Sequence, residues 1–170
     1  AALPAWAVAG KRRRAHIRRV AALVEDWADT MGVAPGERAR WLRAVWLHDA
    51  LKDARLPGGI AHGVAAADRA EREGEADRGV LNAVRHHTWG HPAWDDVGKM
   101  LFLADYLEPG RRGRRKERAR LAARVPQNRD AVLRRVLALQ MRAALRAGRP
   151  IHPHTLELWN ALATTRGEDR

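Results

Sequence analysis

Trp41-Leu42-Arg43-Ala44-Val45-Trp46-Leu47-His48-Asp49-Ala50-Leu51-Lys52-Asp53 is the stretch on which the reading of the fold turns. Leu42, Val45, Asp49 and Lys52 share one face at helical spacing, so the pattern predicts a helix opened by Pro35-Gly36 and running to about Asp53. An adjacent His-Asp pair thus rides at the end of an otherwise buried helix. Alone the dipeptide means little, since chance supplies it often and a helical histidine is more often structural than a ligand. Four residues of the same chemistry, His16, His62, His87 and Asp105, recur inside or at the edge of other helical segments, and that recurrence points to a metal site.

Outward from this stretch the same period repeats. Ile17, Val20, Val24, Trp27 and Met31 mark a helix from about Lys11 to Met31 that Gly32 ends, with His16 at the edge of its apolar stripe. Pro57-Gly58-Gly59 reads as a loop, and a helix from Ile60 to about Glu73 carries His62 in its first turn. The next helix, roughly Glu75 to His87, places His87 on the apolar face of Val80 and Val84 and rotates His86 about 100° away. Val97, Leu101, Ala104 and Glu108 mark a helix bearing Asp105, ended by Pro109-Gly110. An Arg-rich segment from Arg111 to Arg120 precedes a long helix near Asn128 to Ala147, and a short one holds Leu156, Trp159 and Leu162. No alternating run reads as a strand. The expectation is an all-α chain, one compact helical bundle forming a single domain over residues 1–170.

Composition narrows the chemistry. Cysteine is absent, which excludes disulfides, thiolate metal sites and a catalytic thiol, so any metal must be held by His and carboxylate. The N-terminal apolar residues precede their basic cluster, the wrong order for a secretory signal, and no run approaches a membrane span, so a soluble cytoplasmic protein is expected. The net charge of +12 allows a polyanionic partner, although solvation in an Arg- and Ala-biased chain accounts for it more simply. Lysine occurs only at positions 11, 52, 99 and 116, which makes Lys52, three residues after Asp49, worth attention.

Imidazole nitrogens and carboxylate oxygens suit first-row divalent metals, and one Asp has two oxygens with which to bridge a pair of ions. Two ions roughly 3.5 to 4 Å apart activate a water and neutralise charge on a phosphoryl group. Phosphoester or phosphoanhydride hydrolysis is the chemistry expected of such a set.

At this point the chain resembles the HD-domain metal-dependent phosphohydrolases, whose His, His-Asp, Asp order is met by His16, the His48-Asp49 pair and Asp105. The resemblance narrows to the YqeK-like branch of symmetrical bis(5'-nucleosyl)-tetraphosphatases. It is carried by Leu47-His48-Asp49-Ala50-Leu51-Lys52, Ala61-His62-Gly63-Val64-Ala65-Ala66, His87-Thr88-Trp89-Gly90 and Ala104-Asp105-Tyr106-Leu107-Glu108-Pro109-Gly110-Arg111, and it runs from about residue 13 to 162. Trp89 departs from the branch, which usually has a small or β-branched residue there, and so alters the nucleotide pocket expected beside His87.

The resemblance implies two divalent transition-metal ions, iron first, with Mn, Co, Ni or Zn able to satisfy the same donors. His16, His48, Asp49 and Asp105 would hold one ion and Asp49, His62 and His87 the other. It further implies cleavage of diadenosine tetraphosphate into two ADP, with catalytic roles at Asp49, Lys52 and His87 and substrate contacts at Lys52, Thr88, Trp89 and Arg111. Lys52 reads equally well as a surface cation; Arg112, Arg114 and Arg115 read as a solvated face. His86, His91, His152 and His154 read as structural or surface residues. Another nucleotide substrate fits the same donors, a homodimer is compatible with the sequence, and a basic nucleic-acid-binding bundle built on residues 12–19 and 111–120 is the rival from another class.

Overall fold

The computed structural model describes residues 2–164. Residue 1 and residues 165–170, counted in the single unit expected from the sequence, lie outside the described residues. Eight α-helices follow in order: α1 (Lys11–Thr30), α2 (Pro35–His48), α3 (His62–Arg72), α4 (Arg78–His86), α5 (Asp96–Leu107), α6 (Arg115–Arg124), α7 (Arg129–Arg146) and α8 (Pro153–Thr164), with a short 3₁₀ turn at Pro57–Gly59. No strand occurs among the described residues, so the fold is all-α.

Helix α5 explains the arrangement. Val97, Gly98, Met100, Leu101, Phe102, Leu103, Ala104 and Leu107 are all buried, so the helix is apolar nearly all round and must be enclosed. It packs against α1, α2, α4, α6 and α7. Gly98 permits the closest of its contacts, because a Cβ there would fall 2.2 Å from the ring of buried Trp94.

The helix ends are set by side chains and turns that the sequence carries. Asp77 accepts from the backbone N–H of Gly79 and Val80 to open α4, and Asp95 and Asn128 cap α5 and α7 in the same way. At the end of α1, Gly32 takes φ +63°, and the N–H groups of Gly32 and Val33 donate to the carbonyls of Asp29 and Ala28, the paired closure that a glycine at this position makes accessible.

One expectation needs correction, and the Arg-rich segment gains a helix. Helix α2 stops at His48 instead of continuing to Asp53; Asp49 moves to φ −111°, ψ 17°, and turns carry the chain through Lys52. The N-terminal segment lies along this turn: Val8 N–H donates to the Ala50 carbonyl, which a longer helix would have satisfied internally, and Gly10 N–H donates to the Asp53 carboxylate. The Arg-rich segment is half loop and half helix, since α6 begins at Arg115. Leu121 is the one buried residue within α6, too thin a stripe to stand out among arginines, which are themselves good helix formers.

Candidate metal centre

Five helices deliver donors to one point. His16 projects from the middle of α1; His48 ends α2 and Asp49 follows it; His62 begins α3; His87 caps α4; Asp105 stands near the end of α5. His16, His48, Asp49 and His87 are buried, His48 completely, while His62 and Asp105 are half-buried at the mouth. Their ligand atoms fall into two sets, His16, His48 and Asp105 in one and Asp49, His62 and His87 in the other, each within 4.8 Å. Asp49 joins them: its Oδ2 lies 3.6 Å from His16 Nε2 and 3.5 Å from His48 Nε2, while its Oδ1 lies 3.0 Å from His62 Nε2 and 3.6 Å from His87 Nε2.

Hydrogen bonds fix how the imidazoles present themselves. His48 and His87 each donate from Nδ1 to a carbonyl three residues back, Val45 and Val84, at 2.7 Å. A carbonyl only accepts, so Nδ1 carries the hydrogen and Nε2 turns a lone pair into the cluster. His16 Nδ1 donates to Glu108 Oε1 at 3.1 Å, the outer carboxylate–imidazole pairing that orients a ligating histidine. His48 Nε2 is buried without a hydrogen-bond partner, an orphan that a bound cation would satisfy. His16 Nε2 likewise has no partner of proper hydrogen-bond geometry, although Asp105 Oδ1 is 3.0 Å away. The residues present therefore fit divalent metal ions.

Charge in the cluster follows from position. Burial opposes ionisation of Asp49, but His48, His62 and His87 outweigh it and hold its carboxyl below the ordinary range. Asp105 is lowered against burial by His16 and Arg111, and Glu108 falls to about 2 through His16, Arg19 and the Gly110 N–H. His16 is raised despite burial because Asp105 and Glu108 favour its cation. Arg13 pairs with Asp49, Arg111 with Asp105, and Arg19 donates to Glu108 at 2.6 Å.

His48 behaves oppositely: burial lowers it to about 4 from 6.5. Its folded pKa lies below its unfolded one, so the stability it contributes is complete above pH 6.5 and is lost as pH falls toward 4. That amounts to roughly 3 kcal/mol in the metal-stripped protein. The raised His16 acts above pH 6.5 and Glu108 below 4.5, whereas burial also lowers His86 to about 4 and His91 below its ordinary value, so these rings share the window and the titration of the His48 ring itself assigns its part. Urea midpoints of chelator-treated protein should drop between pH 6.5 and 4, with the His48 ring titrating near 4 by NMR; a flat midpoint would mean that the ring is not held neutral.

Lys52, Thr88 and Arg111 line the same cavity of about 280 Å³ as Asp49, His62, His87 and Asp105. Lys52 Nζ reaches His62 Nδ1 at 3.2 Å, and Thr88 Oγ1 lies 3.5 Å from His87 Nε2. Trp89 is not brought to this cavity. It faces a neighbouring one of about 600 Å³ and stacks on His152, with ring planes 9° apart. His86 points away from His87 into ring contacts with His91 and His154. The sequence reading missed Arg13, Glu108, Tyr106 and Gln140. Glu108 sits in a quoted stretch, yet its link to His16 spans 92 residues and has no local signature. Arg13 was hidden among its arginine neighbours.

The HD-domain family model matches residues 13–110, more than half of the chain. Three curated relatives, each named symmetrical bis(5'-nucleosyl)-tetraphosphatase, are similar. That from Halalkalibacterium halodurans is 36% identical over 92 residues, covering 54% of this chain and 48% of the relative. The Staphylococcus aureus protein is 43% identical over 53 residues (31% and 27%), and the Bacillus subtilis protein 29% over 104 residues (61% and 55%). The matches thus span about half or less of these relatives' length. A crystal structure from Clostridium acetobutylicum, described as a predicted HD superfamily hydrolase involved in NAD metabolism, superposes with a TM-score of 0.77 over 92% of this chain and 91% of that one at 22% identity. This likeness establishes the fold. No helix among the described residues is long and apolar enough to cross a membrane.

Proposed function

Because the chain belongs to the HD-domain family, we propose that it is a metal-dependent phosphohydrolase cleaving diadenosine tetraphosphate symmetrically to two ADP. HD domains bind divalent metals, and the His/Asp cluster could hold them. The observation that carries the dinuclear reading is Asp49, whose two oxygens each face a different set of imidazoles. His16, His48, Asp49 and Asp105 would hold one ion and Asp49, His62 and His87 the other, with iron the first choice. When bound, such ions lower the pKa of water and stabilise charge on phosphoryl oxygens.

The chain's own groups do the rest. The Nδ1 hydrogens of His16, His48 and His87 are engaged by Glu108, Val45 and Val84, which keeps those rings in one orientation. Lys52 and Arg111 put fixed positive charge at the cavity, where non-bridging phosphate oxygens would lie, with Lys52 a compact charge and Arg111 a bidentate fork. Thr88 offers a hydroxyl at the cavity and Trp89 a ring face beyond it. The shared hydrophobic core of the helices supports one HD domain, and we place the enzyme with its nucleotide substrate in the cytoplasm. The inward pairing of Arg13, Arg19 and Arg111 on buried or half-buried carboxylates weighs against a nucleic-acid face.

Metal analysis with product chromatography tests the proposal. Close to two ions per chain and ADP as the sole nucleotide product are expected. A single ion at full occupancy contradicts the dinuclear centre; AMP with ATP as products contradicts symmetric cleavage; and cleavage of other nucleotides alone would move the same chemistry to a different substrate.

A further inference from the structure

The centre opens toward two recesses of different chemistry. Thr88, Tyr106 and Gln140 line both the 280 Å³ cavity and the 600 Å³ cavity of Trp89, while Arg13 and Arg111 line both the 280 Å³ cavity and a groove of about 800 Å³ on another side. Arg112 and Arg118 stand between the cavity of Trp89 and the groove. Arg118 is fixed there: its guanidinium lies 5.1 Å from the centre of the Tyr106 ring and donates to the carbonyls of Arg111, Arg112 and Gly113.

The first recess suits a base. Trp89 is 43% exposed and braced by His152, and Tyr106, Leu139 and Ile151 add apolar wall. Stacking of a base on such a ring is worth about 1–3 kcal/mol. The groove has no Trp, Tyr or Phe in its lining, and its one ring is that of buried His16. Its walls carry Lys11, Arg12 and Arg112 beside the carboxylate-paired Arg13, Arg19 and Arg111, against two acidic residues, Asp53 and Glu108. Lys11, Arg12 and Arg112 have no ion-pair partner among the described residues. Lys11 and Arg12 sit in the first turn of α1, beside the Gly10 N–H that donates to Asp53. Such a surface suits phosphate oxygens and offers little to a second base.

We infer that the enzyme reads only one of the two bases of its substrate, and that it therefore also cleaves nucleoside 5'-tetraphosphates, which carry a single base. This rests on the hydrolase reading above. The nucleoside sits against Trp89, the scissile anhydride lies at the centre, and the distal phosphates run into the cationic groove. In adenosine 5'-tetraphosphate, the bond between the second and third phosphorus is broken with addition of one water. Its oxygen joins the attacked phosphorus, and its hydrogens are shared between the new hydroxyl and the departing oxygen. The products are ADP and pyrophosphate, and no further reactant is required.

The test compares metal-loaded enzyme on diadenosine tetraphosphate, adenosine 5'-tetraphosphate and inorganic tetraphosphate. The kcat/KM values of the two nucleotides should agree within about tenfold, with inorganic tetraphosphate at least about tenfold below both for want of stacking. Trp89→Ala should lower both nucleotide values by the same factor, about tenfold, through KM. The double variant Lys11→Ala, Arg12→Ala, altered only at exposed positions, should raise both KM values in parallel. If the dinucleotide is cleaved and adenosine 5'-tetraphosphate is more than tenfold poorer, the single-base inference falls while the hydrolase reading stands. If neither is cleaved, the hydrolase reading falls first.

Discussion

Asp49→Ala is expected to reduce hydrolysis by at least about a thousandfold, equivalent to about 4 kcal/mol of transition-state stabilisation, and to deplete both metal ions together. Among the described residues this carboxylate alone has oxygens facing both sets of imidazoles, so its removal takes a donor from each. It also strips the anion from a buried group of histidines and leaves the Arg13 guanidinium without its acceptor. Arg78→Ala makes a fair control, since that side chain is 86% exposed and pairs only with Glu71 on the surface. Turnover near that of the unaltered protein in Asp49→Ala, with metal still present, would remove Asp49 from the catalytic centre.

Gly63→Ala should damage the centre without touching a donor. A Cβ at this buried position would fall 2.7 Å from the Val84 carbonyl oxygen and 3.0 Å from the His87 ring. That same carbonyl accepts the His87 Nδ1 hydrogen, so the added Cβ crowds both the ring and the acceptor that orients it, and relief by moving α3 would carry His62 away from His87, 3.0 Å from it between Nε2 atoms. Overpacking of this kind costs about 2–3 kcal/mol and lowers the melting temperature by roughly 5–10 °C. Metal content should fall by about one ion per chain, because the set of Asp49, His62 and His87 is disturbed while that of His16, His48 and Asp105 is not. Gly36→Ala, where a Cβ would meet nothing within 4 Å, should melt close to the unaltered protein. Full metal content and an unchanged melting temperature in Gly63→Ala would show that the α3–α4 contact does not position His87.

Much of the helical framework was legible because helix formation is governed by spacing within a few residues. The stripe of Ile17, Val20 and Val24, the Pro35 start, the Gly32 stop and the apolar run around Leu101 each report on their own segment. Where the reading slipped, a neighbour distant in sequence decided the outcome. Helix α2 gives way at Asp49 because the N-terminal segment is there to pair with Ala50 and Asp53. Helix α6 gains its order from burial of Leu121 among other helices, a contact that arginine-rich sequence does not advertise.

For the site, the sequence by itself determined the donor chemistry: histidine and carboxylate without thiolate, carried on helices, with His87 and His86 turned to different sides of one helix. Only the tertiary structure decided which atoms meet. Packing around α5 set Asp49 between the two groups of imidazoles and joined His16 to Glu108 across 92 residues. It also sent Trp89 into its own cavity and gathered the first turn of α1 and the loop after α5 into one cationic groove. The reason is geometric. A helix fixes side-chain direction from its own dihedrals, whereas distances of about 3 Å between donors on different helices depend on how those helices pack, which no single segment encodes.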